Sequence, residues 1–72
     1  MNDSLVFDIG MNNGDDSAYY LWLGFRVVGV DASPVLAETC RQRFSAEISA
    51  GNMIVVNAGV AACPGEFEFF SI

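Results

Sequence analysis

The sequence predicts an α/β fold: a Rossmann-like, partial doubly wound sheet of order β-α-β-α-β with a C-terminal antiparallel strand. Three observations carry this. Short apolar runs at Leu5 to Ile9, Phe25 to Val30 and Met53 to Asn57 alternate with two segments of helical character. Turn residues separate them: Gly10 to Gly14, Gly24, Ala32-Ser33-Pro34 and Gly51-Asn52. The spacing between runs leaves room for crossover helices, which parallel strands require.

Leu5 to Ile9 is a continuous apolar run broken only by Asp8, the pattern of a strand buried on both faces. Gly10 to Gly14 forms a loop. Asp15 or Asp16 is placed to cap a helix over Ser17 to Leu23, which Gly24 stops. Phe25 to Val30 is rich in β-branched residues and ends at Asp31. Ser33 as N-cap and Pro34 at the first helical position open the second helix. Its stripe is Leu36, Cys40, Phe44 and Ile48, and Gly51-Asn52 ends it. Met53 to Asn57 is the third strand. Pro64-Gly65 marks a turn, and Glu66 to Ile72 reads as a half-exposed strand antiparallel to the third.

The chain of 72 residues reads as a single domain, 1–72, and as an incomplete one. A domain of this size buries only about 60% of its unfolded surface. Yet 53% of its residues are hydrophobic, including six Phe, two Tyr and one Trp. If successive strands step in one direction, both helices cover the same sheet face. The other face, and the free edge of the first strand, then lack cover and invite a homo-oligomer.

The net charge is −6, with nine acids, three arginines and no lysine. That excludes a phosphate-tracking nucleic-acid surface and disfavours an anionic membrane. Two cysteines, Cys40 and Cys63, and no histidine leave no zinc-ligand pattern and no Cys–His or Ser–His nucleophile pair. No secretory signal and no apolar run of membrane-spanning length is visible, so a cytoplasmic protein with reduced thiols is expected. Cys40 belongs to the core, and Cys63 is an inert loop thiol. Tyr19, Tyr20, Trp22 and Phe25 read as core rather than as a substrate cage.

In doubly wound folds, ligands bind at the carboxyl ends of the strands. Three polar features fall there: the loop Asp8-Ile9-Gly10-Met11-Asn12-Asn13-Gly14, Asp31 after strand two, and Asn57-Ala58 after strand three. Asp31 lies 21 positions after Gly10, a spacing suited to an acid that accepts both hydroxyls of a ribose. The glycine spacing is GxxxG, neither GxGxxG nor a P-loop. Asp15 and Asp16 at the helix mouth oppose a pyrophosphate, which needs that positive end for itself. The residues therefore favour a nucleoside cofactor without phosphates. Each residue also has a structural role open to it: turn glycines at Gly10 and Gly14, loop support at Asp8, strand-end satisfaction at Asn57.

Phe7 to Ser17, Gly24 to Asp31 with Ser33-Pro34, Ile54 to Ala58 and Gly65 to Phe69 together resemble the N-terminal half of class I S-adenosylmethionine-dependent methyltransferases, the FkbM-type family most closely. The resemblance implies that S-adenosylmethionine is the cofactor. It implies that Gly10 and Gly14 let the loop approach its methionine part, and that Asp8 helps hold the amino end. Asp31 would bind the ribose, and Asn57 and Ala58 would border the adenine. The departure is Asn12, where many class I members have glycine; asparagine tolerates left-handed geometry. The implied reaction is O-methylation of a small molecule or sugar, with acceptor site and catalytic base outside this chain, which alone would be inactive. Two other readings stand beside it: an NAD-binding oxidoreductase fragment, and a non-enzymatic interaction module.

Overall fold

The computed structural model describes residues 4–63 and 66–71, with side chains placed for 4–59. In chain order the elements are β1 (Leu5–Ile9), α1 (Asp15–Trp22), β2 (Arg26–Asp31), α2 (Pro34–Arg43), α3 (Ser45–Ser49), β3 (Met53–Cys63) and β4 (Glu66–Ser71). β1, β2 and β3 lie side by side in parallel, and with three helices this is an α/β fold. Phe7 stands beside Val28, and Val28 beside Ile54; two residues on, Ile9, Val30 and Val56 form the next row.

Because side chains alternate across a strand, the rows sort into two faces. One face carries Val6, Val27 and Met53, then Asp8, Gly29 and Val55, and finally Asp31 and Asn57. The helices pack here: the core joins Met11, Val27, Cys40, Phe44 and Met53, bordered by Ala18, Tyr20, Leu21, Ile48 and Val55. Gly29 leaves the space that the Met11 and Met53 side chains fill.

The opposite face is bare at four large apolar residues, Leu5, Phe7, Ile9 and Ile54, which are 49–60% exposed. This corrects the expectation that β1 is buried on both faces. A continuous apolar run does not tell two-sided burial from one covered face and one bare one.

Local chemistry sets most boundaries. Ser33 Oγ accepts from the Leu36 amide at 3.2 Å and Pro34 opens α2, as their order predicts. α1 ends in a Schellman pair: Phe25 N–H donates to Tyr20 O and Gly24 N–H to Leu21 O, both at 3.0 Å. The Tyr20 and Phe25 rings meet edge-on across it, centroids 6.5 Å apart.

Three boundaries differ from expectation. Asp15 and Asp16 lie inside the first turn of α1 rather than capping it; Gly14 is the cap residue, and Asn13 Oδ1 accepts from the Asp15 amide at 3.2 Å. Their charges still favour the positive end of the helix. The second helix breaks in two at Phe44, where φ −105° and ψ 24° turn the axis. The Ile48 amide still bonds to Phe44 O at 2.8 Å, so the chain bends without losing that hydrogen bond. β3 runs on past Asn57 to Cys63, so Cys63 belongs to a strand, not a loop. Its Met53–Asn57 part pairs with β2, and its Ala58–Cys63 part pairs antiparallel with β4, Ala58 opposite Ser71. The Pro64-Gly65 turn lies outside the described residues.

Candidate functional site

The parallel ladder brings the ends of β1, β2 and β3 together, and there the polar residues form one connected network. The loop after β1 is held first by backbone. The amides of Gly10 and Met11 both donate to Val30 O, at 2.7 and 3.1 Å. This drives Met11, 3% exposed, into the core like a plug. Asn12 then takes φ 54°, the left-handed geometry its side chain tolerates. In that conformation its amide donates to Asp31 Oδ2 at 2.9 Å.

Asp31 is only 8% exposed. Its other oxygen, Oδ1, accepts from the Ser33 amide at 2.9 Å. A carboxylate offers about four lone-pair positions, so each oxygen retains one for a further donor. Asn57 stands opposite Asp31 in register. Its amide nitrogen donates to Asp31 O at 3.0 Å and to Ala32 O at 3.1 Å. Ala58, 5% exposed, is the next residue, where β3 changes partner from β2 to β4.

Asp8 lies on the helix-covered face, where its Oδ2 accepts from Ser17 Oγ at 2.7 Å. Ser17 is fully buried, so this bond ties β1 to α1 from within. The two glycines differ. A Cβ at Gly10 would meet nothing within 4 Å, whereas one at Gly14 would meet Phe44 Cε2 at 2.5 Å and Cys40 Sγ at 3.2 Å. Gly10 is the glycine open to an incoming group, and Gly14 is the one that lets α1 sit against α2.

Sequence reasoning missed four residues that hold the loop. Cys40 Sγ donates to Asn12 O at 3.3 Å, and Arg43 Nη1 donates to Asn13 O and to Asp15 Oδ1, both at 2.9 Å. Phe44 fills the space beneath Gly14, and the Arg43 guanidinium lies 5.2 Å from its ring centre. Ser17 fastens Asp8. One signal was available: Arg43 is a cation near the end of the second helical segment and Asp15 an acid at the mouth of the first.

The electrostatics follow from these contacts. The hydrogen bond from Arg43 holds the Asp15 carboxyl below its ordinary range; desolvation opposes it, and the Arg43 charge and the bond to Asn13 add to the lowering. Burial pushes the Cys40 thiol up, and the Asp31 and Asp8 charges add to this while Arg43 opposes it. Among the described residues no group of three or more Cys, Asp or Glu is placed to hold a metal ion. No helix among them is long and apolar enough to cross a membrane.

At the strand ends the arrangement can accept hydrogen bonds from a ligand through the Asp31 carboxylate, with Asn57 Oδ1 on the neighbouring strand. It presents acceptors beside an open glycine, which suits a ligand rich in donors. Comparison of the chain with protein-family models, curated proteins and solved structures finds no match in any of the three.

Proposed function

We propose that the chain is the Rossmann-like front of a doubly wound domain and forms the cofactor-binding half of an S-adenosylmethionine-dependent methyltransferase of the FkbM type. The observation that carries this is the Asp31 carboxylate: nearly buried, fixed by two backbone amides, and left with one acceptor position on each oxygen. A vicinal diol supplies the two donors such a carboxylate lacks. The acceptors of the site therefore fit the hydroxyls of the cofactor's ribose. Its ammonium and sulfonium charges agree with a chain of net charge −6.

In this reading Asp31 accepts the ribose hydroxyls. Gly10 gives room for the methionine part, and Asp8, braced by Ser17, supports the loop from below. Asn12 keeps the loop against β2, and Asn57 with Ala58 closes the adenine side. When bound, S-adenosylmethionine supplies a methyl carbon already activated by its sulfonium. In this reading the named residues bind and orient the cofactor. Orientation of bound partners is itself a large source of rate. The acceptor in this reading is a small molecule or sugar hydroxyl.

A second copy of the chain is the partner proposed for the bare sheet face. Parallel strands bury both faces; Leu5, Phe7, Ile9 and Ile54 form the exposed apolar part of this one, and Arg26, beside Leu5, is the charge that stands at its lower end. A cytoplasmic setting belongs to the same reading.

Calorimetric titration with S-adenosylhomocysteine, with NAD as control, tests it. The first ligand alone should bind, and Asp31→Ala should abolish that binding while the circular dichroism spectrum stays unchanged. Binding of NAD instead, or of neither ligand, refutes the proposal.

A further inference from the structure

Strand spacing puts Asn57 beside the base or ribose of a nucleoside ligand, but its hydrogen bonds give it different work. A side-chain amide has two N–H donors and one carbonyl acceptor. Both donors of Asn57 are spent on backbone, at Asp31 O (3.0 Å) and Ala32 O (3.1 Å). Only its Oδ1 remains for a ligand. The two carbonyls belong to the segment that carries the Asp31 carboxylate.

That carboxylate is held from two other directions by the Asn12 amide in the loop after β1 and the Ser33 amide at the mouth of α2. Asp31 is thus fixed from three elements, and Asn57 is the β3 side chain among the described residues that adds to the backbone ladder there. Sites of this kind work when supporting residues hold the ligand-binding group to within about 0.5 Å. A backbone segment released on one side would let the carboxylate swing.

The geometry points to Asn57 as a positioning residue: it binds the Asp31–Ala32 backbone so that the Asp31 carboxylate stays aimed for a ligand diol, and it does not itself read the base. This inference rests on the assignment of Asp31 as the ribose-binding acid. The hold of Asn57 on Asp31 can nevertheless be measured with no ligand present.

Asn57→Asp separates the two roles. It keeps an acceptor of the same size, removes both donors, and sets a carboxylate against two carbonyl oxygens. Amide hydrogen exchange by NMR gives the first readout. The Asn12 and Ser33 amides should exchange at least about tenfold faster in the variant, while the Ala37 and Phe44 amides in the second helical segment keep their wild-type rates. Affinity for S-adenosylhomocysteine gives the second: it should weaken by about tenfold or more, whereas a residue that reads the adenine amino group would bind as well or better as aspartate. If Asn57→Asp unfolds, Asn57→Ala removes the donors without adding charge and carries the same two readouts. Unchanged exchange at Asn12 and Ser33 overturns the inference, as does undiminished affinity in a wild type that binds. Faster exchange at those two amides in a protein that binds no S-adenosylhomocysteine sinks the methyltransferase reading and still upholds the hold of Asn57 on Asp31.

Discussion

The Phe44 ring occupies the space into which a side chain at Gly14 would project, leaving 2.5 Å between its Cε2 and an ideal Cβ. Gly14 also has φ 92°. Gly14→Ala therefore meets both backbone strain and a filled core and should cost about 2–4 kcal/mol. Gly10 has φ 73° and open space around it, so Gly10→Ala should cost only the strain, about 1 kcal/mol. Urea unfolding of the two variants side by side checks the difference; equal costs would contradict it.

Ser17 is fully buried and its hydroxyl donates to Asp8 Oδ2 at 2.7 Å. A hydrogen bond to a charged acceptor contributes about 1.5–3 kcal/mol. Ser17→Ala should lower unfolding stability by about 2 kcal/mol, and Ser17→Thr should restore part of it only if the extra methyl fits. Thermal and chemical denaturation, agreeing in sign, are the measurements.

Arg43 sets a pH dependence through Asp15. The Asp15 carboxyl is held low by the Arg43 hydrogen bond, so folding favours its ionised form. The resulting stability is present above the ordinary aspartate range and is lost as pH falls through the depressed folded value. In Arg43→Gln the Asp15 midpoint, followed by carboxyl-carbon NMR, should rise toward the ordinary range. The acid-side fall in stability should shrink with it. An unmoved midpoint would show that the pair does not form in solution.

Cys40 produces the mirror effect at alkaline pH. Burial raises its thiol, so folding favours the protonated form. That contribution is complete below the unfolded thiol value and is lost as pH climbs from there to the raised folded value. In a Cys63→Ser background, alkylation of the native protein should be slow at neutral pH and should follow unfolding. Rapid native labelling would mean that the thiol is not enclosed.

Self-association through the bare face should be concentration dependent. Sedimentation velocity of the wild type should show a dimer dissociating on dilution, and Phe7→Glu should give monomer throughout, since Phe7, in the middle of the edge strand β1, is the most exposed of the four apolar residues of that face at 60%. A wild type that stays monomeric at every concentration removes the face from consideration as a self-contact.

Legibility in the sequence followed distance along the chain. Ser33 and Pro34 announce α2 because their chemistry acts within one turn: the bond runs from Leu36, three residues on. β2 and its final acid were readable from composition alone. Asn12, Asp31 and Asn57 could be nominated by position after each strand, but not connected. The bonds that join them span 19 residues between Asn12 and Asp31 and 26 between Asn57 and Asp31, and depend on register. The break at Phe44 was hidden because its apolar stripe continues through the bend. The length of β3 was hidden because Gly59-Val-Ala-Ala carries no stop signal of the strength of Gly51-Asn52.

Every strand pairs with the strand that follows it, β1 with β2, β2 with β3 and β3 with β4. Such a ladder can grow in the order of synthesis, each new strand docking on one already made, so no early strand waits for a distant partner. Loop closure between neighbours is the least costly kind in entropy. During translation the Asp31 carboxylate can meet the Asn12 and Ser33 amides as β2 and the segment after it dock, but the backbone that carries it is bound by Asn57 only when β3 emerges. The geometry around Asp31 is therefore completed in one step, by the docking of a single strand.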